Sequence, residues 1–210
     1  MKRINIIKAE EARFTWLYNG QVHPDRELNA PLLDRNGIVT LPTLGSIVPG
    51  WTLTFPAKPS LSLARISSVE REAVLAQADN AAQKLSKLGL RVFHFEHGPA
   101  VENSVMGCGL DLAHLHTVAL DFDLVAAAKS ELGDLNWELR GVDSAWNRQD
   151  EYLTVWESGD SQISTANVNN PVSQAFRRII ANKMNVPTRW DYRNDAFRAN
   201  IDATRQLFCD

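Results

Sequence analysis

The sequence predicts an α+β fold in a single domain over residues 1–210, and three observations carry that prediction. Val74, Leu75, Ala78, Ala82, Leu85 and Leu88 recur at helical spacing in one long stretch. Short apolar, β-branched and aromatic runs, punctuated by glycine and proline, stand on both sides of it. Beyond Pro171 a second amphipathic run begins, and a further helix follows from Asp195 to Phe208. The expected architecture is an antiparallel sheet of about five or six strands with the long helix against it and helices at the C-terminal end.

Taken in order, Phe14 to Tyr18 reads as a strand closed by the hairpin signal Asn19-Gly20. His23 to Asn36, with Pro24 and Pro31, reads as loop, and His23 as a solvated histidine. Ile38–Leu41 and Trp51–Phe55 form two strands joined through Gly45 and Pro49-Gly50, the second ended by Pro56 and Pro59. The long helix spans Ser68 to Leu88. Ser67 and Glu70 make a capping box at its start, and Gly89 ends it. Leu90–Phe95 is the next strand, and Leu110 to Val118 another. Val125–Leu132 is a short helix, Glu138–Val142 and Tyr152–Trp156 the strands of a further hairpin, and Asp160–Asn170 a Ser/Asn-rich loop. In the helix from Ser173 to Met184, Val172, Phe176, Ile179 and Ile180 face inward. Arg177 and Arg178 are expected on a solvated face.

Composition narrows the function classes. A 210-residue chain that is 44% hydrophobic can bury a sizeable core. Its net charge of −3 argues against bulk nucleic-acid binding. Cys108 and Cys209 form no C-x-x-C pair, so neither a disulfide framework nor a zinc finger is indicated. The first 14 residues do not read as a signal peptide, and no apolar run approaches the roughly 20 residues of a membrane span. The expectation is a cytoplasmic protein with no membrane partner.

Chemistry concentrates between Val92 and Leu120, where four of the five histidines lie: His94, His97, His114 and His116. His114 and His116 alternate on a run that reads as a strand, so they share a face about 6.6 Å apart. One imidazole can attack while its neighbour donates or holds a proton. Gly107-Cys108-Gly109 precedes them as a turn whose backbone N–H groups can approach an anion. Glu96 and His97 sit at a strand end before a loop, where functional side chains are commonly placed.

Leu112-Ala113-His114-Leu115-His116-Thr117-Val118 resembles the signature of the histidine triad superfamily, His-φ-His-φ-His-φ-φ on a strand after a Gly-rich turn. Phe95-Glu96-His97-Gly98 resembles a segment that some members carry before that turn. Gly37–Pro42 and Ile47–Pro56 resemble the family's early hairpin, with Trp51 where a histidine usually follows Pro-Gly. Ser173-Gln174 with Arg177-Arg178, and Trp190-Asp191 beyond them, resemble a C-terminal segment of some members. The likeness covers a core of about residues 35–121, with 122–210 a C-terminal extension that it matches more loosely. It implies a histidine-triad-like sheet and a nucleotide or nucleotide-conjugate substrate cleaved or transferred at the α-phosphate. By the same likeness His114 is the nucleophile that carries the nucleotidyl group, and His116 assists. Glu96, His97, Gly107, Cys108 and Gly109 are then the nucleotide- and phosphate-binding residues. No metal or cofactor is implied, and a homodimer is. The departure is Leu112, which stands where the first histidine belongs.

Two other readings compete with a hydrolase or transferase. In one, Leu112 and Trp51 mark a degenerate module that binds a nucleotide or a protein without turnover. In the other, His114, His116 and Asp121 ligate a metal as in cupin-like barrels, although no histidine follows His116.

Overall fold

The computed structural model describes residues 14, 16–18, 30–106 and 110–209. Eight strands are described: β1 (Leu33–Arg35), β2 (Ile38–Pro42), β3 (Trp51–Phe55), β4 (Arg91–Gly98), β5 (Leu115–Leu120), β6 (Glu138–Gly141), β7 (Tyr152–Glu157) and β8 (Gln162–Asn167). They form one open sheet in the order β1-β2-β3-β5-β4-β7-β8-β6, antiparallel at every pairing. The fold is α+β, with more strands than the five or six expected. Three of the eight come from the C-terminal extension, which continues the sheet from β4 outward.

Four helices of eight or more residues accompany it: α1 (Ser68–Leu85), α2 (Leu124–Glu131), α3 (Ala175–Lys183) and α4 (Arg198–Gln206). The Ser67 side chain accepts from the Glu70 N–H and starts α1. The second half of the expected capping box is absent, because the Glu70 carboxylate accepts from the Lys58 N–H instead (3.2 Å). A 3-10 turn, Ser86–Leu88, extends α1 to Gly89, whose left-handed backbone stops it.

Helices cover both faces of the sheet. Val74 and Ala78 of α1 pack with Leu115, Tyr152, Trp156 and Ile163. On the other face α2 and α3 bury Leu124, Ala128, Phe176 and Ile180 against Trp51, Phe93, Phe95, Val118 and Val155. That second face continues over β2 and β3, where Phe14 joins Leu41, Leu53, Phe55 and Leu110. Every helix of the described residues is too short or too polar to cross a membrane.

Several expectations are corrected. Phe14 and 16–18 are helical, not a strand; their aromatic run covers a sheet face instead of joining it. The segment read as loop before Asn36 contains β1. The predicted strand Leu110–Val118 begins only at Leu115, so His114 lies just before the ladder. The Asp160–Asn170 segment contains β8, which pairs with β7, and β6 pairs with β8 on its far side. The hairpin is therefore β7–β8, and β6 is an edge strand. Val172 is 45% exposed and faces outward.

Gly98 ends β4 opposite Tyr152. A Cβ on Gly98 would lie 2.1 Å from the Tyr152 ring, which is itself fully buried. Gly98→Ala is expected to lower the unfolding free energy in urea by about 1–3 kcal/mol, the ordinary cost of overpacking a core.

Candidate functional site

The strand pleat decides which side chains meet. Phe93, Phe95 and His97 of β4 point to the face that carries α2 and α3, while His94 and Glu96 point to α1. Phe95 pairs in register with His116 on β5, and Leu53 of β3 pairs with His116 from the other side. The His116 ring therefore lies flat on Phe95, with centroids 4.3 Å apart and planes 8° from parallel. His114 stands next to it at 4.9 Å and stacks on Phe55 at 5.5 Å. His97 approaches His116 edge-on at 6.0 Å.

Hydrogen-bond partners determine where each ring carries its proton. The Leu112 carbonyl only accepts, so His114 donates to it through Nδ1 (2.7 Å), and in the neutral ring the lone pair sits on Nε2. The Trp51 indole only donates, so His116 accepts it on Nδ1 (3.1 Å) and bears its proton on Nε2. His97 accepts from the Phe176 N–H through Nε2 (3.3 Å), which leaves Nδ1 protonated. The pair thus offers a lone pair on one ring and an N–H on the other.

Burial keeps His97 and His116 neutral. Desolvation, with His114, His97 and Arg177 near by, holds His116 well below the usual histidine range. Desolvation first, then His114 and Arg177, lowers His97 to about 3.

All three histidines line one cavity of about 40 Å³. Its walls are largely apolar, with Leu53, Leu110 and Leu112 among them, and Arg177 is its cation. Arg177 is 4% exposed, so the expected solvated face is wrong for this residue. Its guanidinium donates to the Thr43 hydroxyl (2.8 Å) and to the carbonyls of Leu44 and Gly45 (2.6 Å each). It also lies 4.5 Å over the Trp51 ring. Gly45 adopts φ +67°, and a Cβ there would stand 2.4 Å from Tyr192, so the loop that receives Arg177 requires glycine. Spacing held the signal for Arg177: it is three residues before the inward-facing Ile180 and shares its side of α3. Arg178 is half-buried, with its guanidinium 3.5 Å from the Trp190 ring centroid.

The expected site residues divide into three groups. His97, His114 and His116 come together. Glu96 does not, because it lies on the opposite face, 1% exposed, accepting from the Leu63 N–H (2.7 Å) and the Tyr152 hydroxyl (2.5 Å). Gly107, Cys108 and Gly109 lie outside the described residues, as does His23. For the metal reading, Asp121 is exposed beyond the far end of β5, five residues from His116. Among the described residues no group of three His, Cys, Asp or Glu side chains is arranged to hold a metal ion.

No family model matches this chain, and no curated protein matches it.

The two faces titrate in opposite senses. His97 and His116 take up protons on unfolding, so each makes stability rise with pH below the ordinary histidine value of 6.5. The slope is about 1.4 kcal/mol per pH unit for each proton. Desolvation raises Glu96 to about 7 from 4.5, so between those values the folded state holds the proton and stability falls as pH rises. Two histidines outweigh one carboxyl, and net stability rises with pH between about 4.5 and 6.5. Glu96→Gln keeps both hydrogen bonds, with its amide donating to the Tyr152 oxygen, and removes the opposing titration. Urea unfolding between about pH 5 and pH 6.5 is expected to show roughly twice the wild-type slope.

Proposed function

We propose that this protein acts on a nucleotide or nucleotide conjugate at its α-phosphate, as a hydrolase or transferase with a covalent nucleotidyl group on His114. The observation that carries this reading is the complementary proton placement on adjacent rings, Nε2 lone pair on His114 and Nε2–H on His116. It supports the resemblance of residues 112–118 to the histidine triad signature.

In the proposed reaction, His114 Nε2 forms a bond to the α-phosphorus while the bond from phosphorus to the leaving oxygen breaks. The leaving phosphate or polyphosphate departs with the electron pair and needs no proton. Nδ1–H of the resulting imidazolium keeps its bond to the Leu112 carbonyl, whose dipole offsets the new positive charge. His116 Nε2–H hydrogen-bonds a phosphoryl oxygen as charge develops there, in a site where water competes poorly. Arg177 adds a buried positive charge at the cavity wall, which favours an anion. Water, or an acceptor alcohol or phosphate, then attacks phosphorus. The Nε2–P bond breaks, His114 regains its lone pair, and the attacker's proton leaves to solvent.

One observation favours the second reading, a module that binds without turnover. The cavity of about 40 Å³ is far below the ~300–1,000 Å³ of small-molecule sites. Leu112 packs with the apolar cluster of Leu53, Phe55 and Leu110 that forms part of its wall. Turnover therefore requires this wall to move apart when substrate enters.

Intact-mass measurement at neutral pH, after incubation with adenylated and guanylated substrates, separates the two. A nucleotidyl mass increment is expected on the wild type and none on His114→Ala, with turnover lower by roughly a thousandfold or more. Saturable nucleotide binding without any increment would replace the enzyme by the binding module. Trp51→Phe keeps the stack and removes the indole N–H that sets the His116 tautomer. It is expected to lower kcat about 10–100-fold while KM changes little.

A further inference from the structure

A second recess, of about 660 Å³, opens beside the edge strand β6. In the strand order it lies four strands from β5, roughly 19 Å at ~4.8 Å per strand. It differs in character from the histidine cavity, because its lining is almost wholly polar. Glu138 and Arg140 enter it from β6, Arg148 from the segment before β7, and Asn167 from the end of β8.

Arg148 is the residue that calls for an explanation. Its side chain is only 6% exposed. Nε donates to the Ala145 carbonyl (3.0 Å), and Nη1 donates to the Asn167 side-chain oxygen. Nη2 is buried and has no hydrogen-bond partner among the described residues. Glu138 stands 3.7 Å from it, beyond hydrogen-bond length, because the same carboxylate oxygen already accepts from Arg140 Nη2 (2.6 Å) and Nε (2.8 Å). Burial, and then the neighbouring Arg140, push the Arg148 pKa down. A buried guanidinium with an unfilled donor is costly unless an acceptor reaches it.

The rest of the lining narrows the class of that acceptor. Asp134, Glu138 and Asp150 outnumber the two guanidiniums, so a polyanion such as a nucleic-acid backbone is repelled. One negative charge can be accommodated at Arg148. The carboxamides of Asn147, Asn169 and Asn170 each present a donor and an acceptor, the pairing that vicinal hydroxyl groups require.

We propose that this cleft is a second binding site, separate from the histidine cavity, for a sugar acid whose single carboxylate accepts from Arg148 Nη2 while its hydroxyls pair with the rim carboxamides. Isothermal titration of the whole protein with glucuronate, glucose and glucose 6-phosphate tests it. Glucuronate is expected to bind saturably and about tenfold or more tightly than glucose, the contribution of one charge-assisted hydrogen bond. Arg148→Met is expected to remove that margin. Arg140→Gln alters a half-exposed guanidinium that no core contact needs, and is expected to weaken glucuronate severalfold even if Arg148→Met does not fold. The proposal is overturned if folded wild type does not bind glucuronate, if glucose binds equally well, or if glucose 6-phosphate binds more tightly than glucuronate.

Discussion

The hydrogen bond from the Trp51 indole to His116 Nδ1 is the contact on which the centre of the molecule depends. Both partners are buried, and the indole has one donor and no alternative role. Were His116 to gain a second proton, both ring nitrogens would be donors and the indole would lose its acceptor. The bond therefore opposes protonation in the same direction as desolvation does. The contact network extends further: Phe95 lies beneath His116, Arg177 lies over Trp51, and Arg177 ties down the carbonyls of Leu44 and Gly45. One cluster of packed side chains, with Trp51 edge-on to the stacked His116–Phe95 pair, thus joins β3, β4, β5, α3 and the β2–β3 connection.

On β4 the pleat separates two functions by a single residue. His97 belongs to the histidine face, and Glu96 belongs to the α1 face. Glu96 takes the Leu63 N–H at the start of a 3-10 turn and the Tyr152 hydroxyl from β7. Tyr152 accepts in turn from the Ala64 N–H (3.2 Å). That closed network spends the carboxyl on backbone satisfaction, and its burial favours the neutral acid.

Most of the central sheet was legible because its strands are apolar on both faces or bounded by glycine and proline. The strands expected at 38–41 and 51–55 are found there, the first one residue longer, and the long helix starts where its cap puts it. β8 was not legible: Gln162-Ile163-Ser164-Thr165-Ala166-Asn167 has loop-like composition, and only its pairing between β7 and β6 buries Ile163 and Thr165. β1 is three residues long, below any periodic signal. Phe14 and its neighbours carry β-favouring side chains, yet tertiary packing on Leu53 and Phe55 makes them helical. Of the site, the two paired histidines and His97 could be found from spacing. Glu96 could not be excluded without the strand's phase, and Arg177 was hidden by the ordinary expectation that adjacent arginines are solvated.

Leu112 orients the neighbouring imidazole through its backbone and not through its side chain. What positions His114 is the carbonyl oxygen of residue 112, and every amino acid supplies that group. The Leu112 side chain meanwhile contributes an apolar part of the cavity wall beside His114. Trp51 acts in the opposite way, since its side chain supplies the N–H that orients His116. Backbone orients one ring and a side chain orients the other: Nδ1 faces an acceptor on His114 and a donor on His116, side by side. Leu112 and its apolar neighbours narrow the cavity to about 40 Å³, so in the proposed reaction the histidines are oriented in advance and access is what limits the site.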